Sequence, residues 1–315
     1  MNILLTGING FVGSNLSEHL FRQGHRLTGI SRNTTDSKHV FDTIHTWDEL
    51  NGLQLSADVW IHLAGIAHDT GNTVDEAEYE FVNVNLTERI FTGFRNDPHS
   101  GTFIFFSSVK AVASSVDNVL YEDDKFDVHT FYGRTKKAAE NILLNAELPE
   151  NKKIIILRPC MIHGPGNKGN LNLLYGMIKR GVPYPLGAYK NRRSFLTLEN
   201  LIFVIDEIIG NSQFPGGVYN VADDEPLSTV EVVRIITDAC NKKERILNVP
   251  RGFIKSIAFL GDFLRLPFNS ERLIKLTENY VVSNDKLTNV IKKPLPVSSR
   301  EGLKKTIESF ERPDS

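Results

Sequence analysis

The chain has 315 residues, 41% of them hydrophobic and 23% charged, with 36 Lys and Arg against 38 Asp and Glu. That composition supports a sizeable core and excludes a disordered chain, a collagen and a disulfide-framework miniprotein. A net charge of −2 gives no overall basic field for nucleic acid or an anionic membrane, so any small anion must be held by local features. Cys160 and Cys240 lack metal-ligand spacing and read as free thiols in a reducing compartment, with no metal expected. Met1-Asn2-Ile3-Leu4-Leu5 shows neither a basic leader nor a cleavage pattern. The most apolar stretch, residues 253–264, is short and carries Lys255 and Asp262. A cytoplasmic chain without membrane or nucleic-acid partners is the expectation.

Short runs rich in Ile, Val, Leu and Phe stand at residues 3–5, 26–30, 59–63, 102–106 and 154–157. They do not alternate with a period of two, which suits strands buried on both faces. Helical patterns at 14–23, 76–96 and 131–145 lie between them. This alternation predicts a doubly wound parallel α/β sheet. Residues 163–192 are rich in Gly, Pro and Asn and begin a loop-rich segment, 198–209 read as helix and 217–221 as strand; the chain is mostly helical from Ser228.

Thr6-Gly7-Ile8-Asn9-Gly10-Phe11-Val12-Gly13 joins the first strand to the first helix. Small residues there let backbone approach a pyrophosphate, and the helix N-terminus offers free N–H groups and partial positive charge. The spacing is Gly-x-x-Gly-x-x-Gly, a variant of the usual dinucleotide fingerprint. The second strand ends at Gly29-Ile30-Ser31-Arg32, where an NAD site would place an acidic residue. A hydroxyl and a guanidinium suit a 2′-phosphate, favouring NADP(H), with NAD(H) as the alternative.

Tyr132-Gly133-Arg134-Thr135-Lys136 opens a helical segment and puts Tyr132 and Lys136 on one face. A neighbouring ammonium would lower the phenol's pKa and fit it for proton transfer to or from a carbinol or carbonyl oxygen. Ser107-Ser108 lies just after the 102–106 strand, Ser108 being 24 residues before Tyr132. The carboxyl end of a parallel strand is where a ligand is expected.

The ordered set resembles the extended short-chain dehydrogenase/reductase family, the NAD(P)-dependent sugar-nucleotide epimerases, dehydratases and reductases. It comprises the Gly7/Gly10/Gly13 loop, His62-Leu63-Ala64-Gly65, Val82-Asn83-Val84, Phe106-Ser107-Ser108, Tyr132/Lys136, Arg158-Pro159 to His163-Gly164-Pro165-Gly166, and Arg193-Ser194-Phe195-Leu196. The resemblance implies a Rossmann domain from residues 1–166 and 193–221, with a smaller substrate-binding lobe from 167–192 and 222–315. It implies Tyr132 as acid/base, Lys136 on the nicotinamide ribose, and Ser108 as the neighbouring hydroxyl. Asn9, Phe11, Val12, Leu63, Ala64, Gly65, Ser107, Pro159 and Ile162 would line the cofactor. Asn83 would buttress the site or serve only as a helix-to-strand tie. Arg193, assisted by Arg192, would hold a substrate diphosphate. Either Asp42 or Asp48 would contact adenine. A homodimer through the 76–96 and 131–145 helices is implied too.

Dehydratases of this family carry an Asp-Glu pair after the catalytic hydroxyl, whereas Val109-Lys110 follows Ser108 here. Ser107 to Lys110, Gly164 to Asn170 and Pro185 to Ser194 resemble bacterial 4-reductases of UDP-N-acetylhexosamines in surface-polysaccharide synthesis. The resemblance therefore implies reduction of a UDP-2-acetamido-2,6-dideoxy-4-hexulose. Asn170 and Arg193 would grip UDP, and Lys110 would face either the sugar or solvent. A UDP-sugar 4-epimerase is the alternative, and a non-catalytic NADP-binding regulator a further one.

Overall fold

A computed structural model describes residues 1–33, 39–50, 52–67, 75–167, 169–264 and 268–311. In chain order it runs β1 (Asn2–Thr6), α1 (Phe11–Arg22), β2 (Arg26–Ser31), β3 (Thr43–Thr46), β4 (Val59–His62), α2 (Glu76–Glu80), α3 (Leu86–Asn96) and β5 (Thr102–Phe106). Then come β6 (Val119–Leu120), α4 (Phe131–Leu144), β7 (Lys153–Pro159), β8 (Met161–His163), α5 (Asn170–Lys179), β9 (Phe195–Thr197), α6 (Leu198–Gly210) and β10 (Gly217–Val221). The last part is α7 (Thr229–Ala239), α8 (Arg251–Phe263), α9 (Ser270–Thr277), β11 (Val281–Val282), α10 (Asp285–Ile291) and α11 (Ser299–Ser309). Among the described residues no helix is long and apolar enough to cross a membrane.

Seven strands form one parallel sheet in the order β10-β7-β5-β4-β1-β2-β3. Alternate residues of each strand enter different layers, which is why the sequence shows continuous apolar runs. On one face Ile3, Leu5, Ile61, Ile104 and Leu157 pack against Leu16 and Leu20 of α1 and Leu201, Val204 and Ile208 of α6. On the other, Leu4, Trp60, Phe103, Phe105 and Ile156 meet Ile90, Phe91 and Phe94 of α3 and Ala139 and Leu143 of α4. The doubly wound Rossmann architecture is thus the one expected. Its strand order reverses between β1 and β4, leaving a crevice at their carboxyl ends where a ligand can enter. A further apolar cluster joins Leu171, Tyr175 and Ile178 of α5 to Tyr184, Leu186, Val233 and Ile236 of α7, Ile254 of α8 and Leu303 and Ile307 of α11.

Three local features go beyond the sequence pattern. Within the loop-rich 163–192 segment, α5 presents Leu171, Leu174, Tyr175 and Ile178 on one face at helical spacing. The 76–96 segment is not one regular helix: a π-helical turn at Phe81–Asn85 separates α2 from α3. β3 escaped notice because Thr43-Ile44-His45-Thr46 is an edge strand, only partly buried, with no apolar run.

A buried ion pair ties α4 to the sheet. Arg158, near the end of β7, donates from Nε and Nη2 to the two carboxylate oxygens of Glu140 at 2.9 and 2.7 Å, and from Nη1 to the Glu122 carbonyl at 2.8 Å. Removing one member of such a pair leaves an uncompensated buried charge. Glu140→Leu is expected to lower the unfolding free energy by about 3–5 kcal/mol, read from urea denaturation; a loss under about 1 kcal/mol, the range of an exposed pair, would contradict this.

Candidate active site

The glycines of the first loop are there for backbone proximity. Gly7 adopts φ +70°, and a Cβ on it would lie 2.7 Å from the Ala64 amide nitrogen. A Cβ on Gly13 would collide with the Gly7 carbonyl, and the Gly10 amide donates to that carbonyl at 3.0 Å. Gly10 is the N-cap of α1, with no side chain to cap the helix and no acidic residue in the first turn. The result is a cradle that any Cβ would fill, facing a helix end with free amides, and it fits a dinucleotide pyrophosphate. Phe11 and Val12 are half-buried and pack on the core below. At the end of β2, the buried Ser31 hydroxyl accepts from Asn9 Nδ2 at 2.9 Å, while Arg32 is exposed. Asp48 follows β3 at the carboxyl edge of the sheet, whereas Asp42 precedes β3 and pairs with Arg26 at 3.3 Å. Of the two adenine candidates, Asp48 is therefore on the ligand side.

The switch point is wired by hydrogen bonds running one way. Thr6 Oγ1 accepts from the amides of Leu63 (3.2 Å) and Ala64 (3.0 Å), so its own proton goes to His62 Nδ1 at 2.7 Å. His62 Nε2 then donates to Thr87 Oγ1 at 2.9 Å, and Thr87 donates to the Asn83 carbonyl at 2.8 Å. Asn83, in the π-helical turn, accepts from the Ile66 amide at 2.8 Å through Oδ1 and donates from Nδ2 to the Ile66 carbonyl and to Thr135 Oγ1. Thr135 lies between Tyr132 and Lys136. Gly65 completes the packing, since a Cβ there would come within 2.9 Å of both Asn83 Oδ1 and Lys136 Nζ.

Thr130 caps α4 by accepting from the Gly133 amide at 3.1 Å, which places Tyr132 in the first turn. Gly133 has no room for a side chain, because a Cβ would strike the Lys110 carbonyl. α4 therefore sits directly on the Val109–Ala111 turn, with Ser108 close enough to Tyr132 to favour its ionised form. Ser108 is buried and also accepts from the Lys110 amide at 3.2 Å. Ser107 Oγ beside it is buried without a hydrogen-bond partner among the described residues. Lys136 is buried and donates from Nζ to the Phe106 carbonyl at 2.8 Å; desolvation brings its pKa down to about 8, against the opposing pull of Glu140. One expectation is reversed here. Burial raises the pKa of Tyr132, Ser108 opposes that rise, and Tyr79 adds to it, so the phenol is not lowered by Lys136 in this state.

Pro159 is buried at the end of β7 beside Val221, and Ile162 in β8 pairs with Leu196. Lys110 turns inward, 3.9 Å above the Tyr280 ring, donating to the Ser114 carbonyl at 2.8 Å and lying 4.0 Å from Glu278. Desolvation lowers its pKa to about 8 although Glu278 pulls it upward. Arg193 joins this group: its guanidinium donates to the Lys275 carbonyl and reaches Glu278 at 3.5 Å. Arg192 does not. It is exposed, donates to the Pro226 carbonyl at 2.9 Å and lines a separate groove with Tyr189, Lys190 and Glu231. Asn170 opens α5, but its side chain lies outside the described residues. Glu278 and Tyr280 were not found from sequence, since no motif marks them and Glu278 stands 85 residues from Arg193.

A glycine cradle at the first β–α junction and a Ser–Tyr–Lys group at the opposite lip of the same crevice match one family model over residues 3–222, that of the NAD dependent epimerase/dehydratase family. The chain belongs to this family. It is 28% identical to a UDP-glucose 4-epimerase of Vibrio cholerae, over 98% of this chain and 95% of that one. It is 26% identical to the N-acetyl-alpha-D-glucosaminyl-diphospho-ditrans,octacis-undecaprenol 4-epimerase of Escherichia coli O157:H7, covering 79% and 75% of the two chains. Its fold is similar to that of the Bordetella bronchiseptica enzyme WbmG, solved with NAD and UDP, with a TM-score of 0.74 at 19% identity over 98% of this chain and 94% of that one.

Burial keeps two histidines neutral, His62 with a pKa lowered to about 3 and His163 to about 4. The unfolded chain protonates both below about pH 6.5, while the folded chain does not until near those lowered values. Stability conferred by the neutral forms is thus complete above pH 6.5 and is lost as pH falls. Each histidine should add a slope of about 1.4 kcal/mol per pH unit. His62→Asn is expected to reduce the acid slope of urea-derived stability by about one proton; an unchanged slope would show that His62 is not buried neutral.

Proposed function

We propose that this family member reduces the C4 ketone of a UDP-2-acetamido-2,6-dideoxy-4-hexulose with NADPH. The observation that carries the reading is geometric: Tyr132, in the first turn of α4 over the Val109–Ala111 turn, stands beside Ser108 and one helical turn from buried Lys136, and desolvation keeps its phenol protonated. Such a group begins as an acid, and reduction of a ketone needs an acid first. A bound reduced nicotinamide supplies the hydride at C4. Tyr132 Oη delivers its proton to O4, and Ser108 Oγ orients that oxygen. The Lys136 ammonium, one helical turn on, stabilises the phenolate that forms. Arg193 and Lys110 hold the UDP diphosphate. Their partner Glu278 neutralises both until the substrate arrives. Exposed Arg32 with Ser31, in place of a carboxylate, supports NADPH. The Rossmann part comprises 1–166 with 193–221, and the remainder forms the substrate lobe.

The second reading is a UDP-sugar 4-epimerase, favoured by the full-length match to the Vibrio enzyme of that name. Val109-Lys110 after Ser108 speaks against water elimination.

Incubation with NADPH and a UDP-4-keto-6-deoxy-N-acetylhexosamine should consume the NADPH absorbance. Tyr132→Phe should lower kcat by about 10²–10⁴-fold. No consumption, with interconversion of UDP-N-acetylglucosamine and its galacto epimer instead, would establish the epimerase reading. Arg32→Ala is expected to weaken NADPH binding about tenfold or more, the worth of a charge-assisted hydrogen bond, and to leave NADH binding nearly unchanged. Equal weakening of both cofactors, measured by fluorescence titration, would remove Arg32 from the 2′-phosphate.

A further inference from the structure

The segment that follows α9 reaches back across the chain to the turn that carries Ser108. It lies outside the 3–222 span of the family match, and it is tied down along its length. Asn191 Nδ2 donates to the carbonyls of Leu276 and Glu278, and the Arg192 amide donates to Asn279 Oδ1 at 2.9 Å. The Tyr280 amide donates to the Arg192 carbonyl at 2.8 Å, and the Tyr280 carbonyl accepts from the Ser194 amide at 2.9 Å. β11 then continues the segment by pairing with β6, downstream of the turn. The base of the Tyr280 side chain is therefore fixed.

Its buried tip ends on the turn. Tyr280 Oη donates toward the carbonyls of Ala113 at 2.7 Å and Val109 at 3.1 Å, one at each end of the turn. Both of those residues are buried. The Tyr280 ring supports Lys110, whose Nζ lies 3.9 Å above it. Within the turn, Ser108 Oγ accepts from the Lys110 amide at 3.2 Å, and the Ser108 carbonyl accepts from the Ala111 amide at 2.9 Å. The same turn meets α4 through the Lys110 carbonyl, which leaves no room for a Cβ on Gly133, next to Tyr132. A shift of this backbone would change the spacing of Ser108 and Tyr132 together. A phenylalanine would fill the same core space as Tyr280. A buried hydroxyl is costly unless it is bonded, and here its bonds go to the backbone that carries Ser108. Burial, helped by Glu278, raises the pKa of Tyr280, so Oη keeps its proton and remains a donor.

We propose that Tyr280 is a positioning residue: its hydroxyl clamps the Val109–Ala113 turn and thereby fixes Ser108 against Tyr132. This rests on the reading that Ser108 and Tyr132 meet the reacting oxygen. The test is Tyr280→Phe, which keeps the ring under Lys110 and removes only Oη. In the reductase assay, or in the epimerase assay if that is the chain's reaction, kcat should fall about tenfold or more, because small misplacements at the reacting atoms are costly. KM, UDP affinity and NADPH affinity should hardly change. Amide hydrogen exchange of the 107–115 segment, read by mass spectrometry without substrate, should quicken about tenfold, with β1 and β5 unchanged. Tyr280→para-aminophenylalanine, which restores a donor on the same ring, should recover both kcat and protection. Unaltered exchange at 107–115 in Tyr280→Phe overturns the proposal, even if the unmodified chain turns over neither substrate. An unaltered kcat overturns it as well. So does a loss of kcat that comes with equal loss of NADPH affinity and faster exchange throughout the sheet, since that is a general loosening of the fold.

Discussion

The site depends on a polar wire crossing the interior from the first strand to the catalytic helix: Thr6, His62, Thr87, Asn83, Thr135. The two amides that Thr6 accepts fix the direction of the bonds from Thr6 through His62 to Thr87 and the Asn83 carbonyl, and the Asn83 side-chain amide, with two protons to give, extends the network to Thr135. A half-satisfied network of this kind would be costly in a dry interior. Fully satisfied, it holds the 63–66 segment, the π-helical turn and α4 in one register. The glycine cradle and Tyr132 are thus two ends of one rigid object, as the proposed reaction, sensitive to ångström misplacement, would require.

The second theme is how a nearly neutral protein prepares for polyanions. Lys110, over the Tyr280 ring, and Arg193 are half-buried and share Glu278. The first helix presents amides, not cations. Charge is concentrated where it serves and balanced elsewhere.

Most of the sheet was legible because buried parallel strands write themselves as continuous apolar runs, and the Gly7, Ser108, Tyr132 and Lys136 positions because motif spacing survives folding unchanged. What was not legible depends on contacts distant in sequence. The edge strand β3 lacks an apolar signature. The π-helical turn exists so that Asn83 can face inward, which no local propensity announces. α5 was hidden by the glycines and prolines around it, although its own helical spacing was visible. The Arg192–Arg193 pair looked like one phosphate grip, and only the fold shows the two side chains diverging. The raised pKa of Tyr132 reflects burial by segments that converge from several parts of the chain.

Gly133 has an evolutionary corollary. With the α4 backbone resting on the Lys110 carbonyl, and Arg158 gripping the same helix two turns further on, Tyr132, the acid of the proposed reaction, is held from both ends of its helix. A lineage built on this frame cannot acquire new substrates by moving its acid. Innovation is channelled into the lobe around α5 and α7–α9, where loops can lengthen and side chains can change while the reacting oxygen is met at the same point in space.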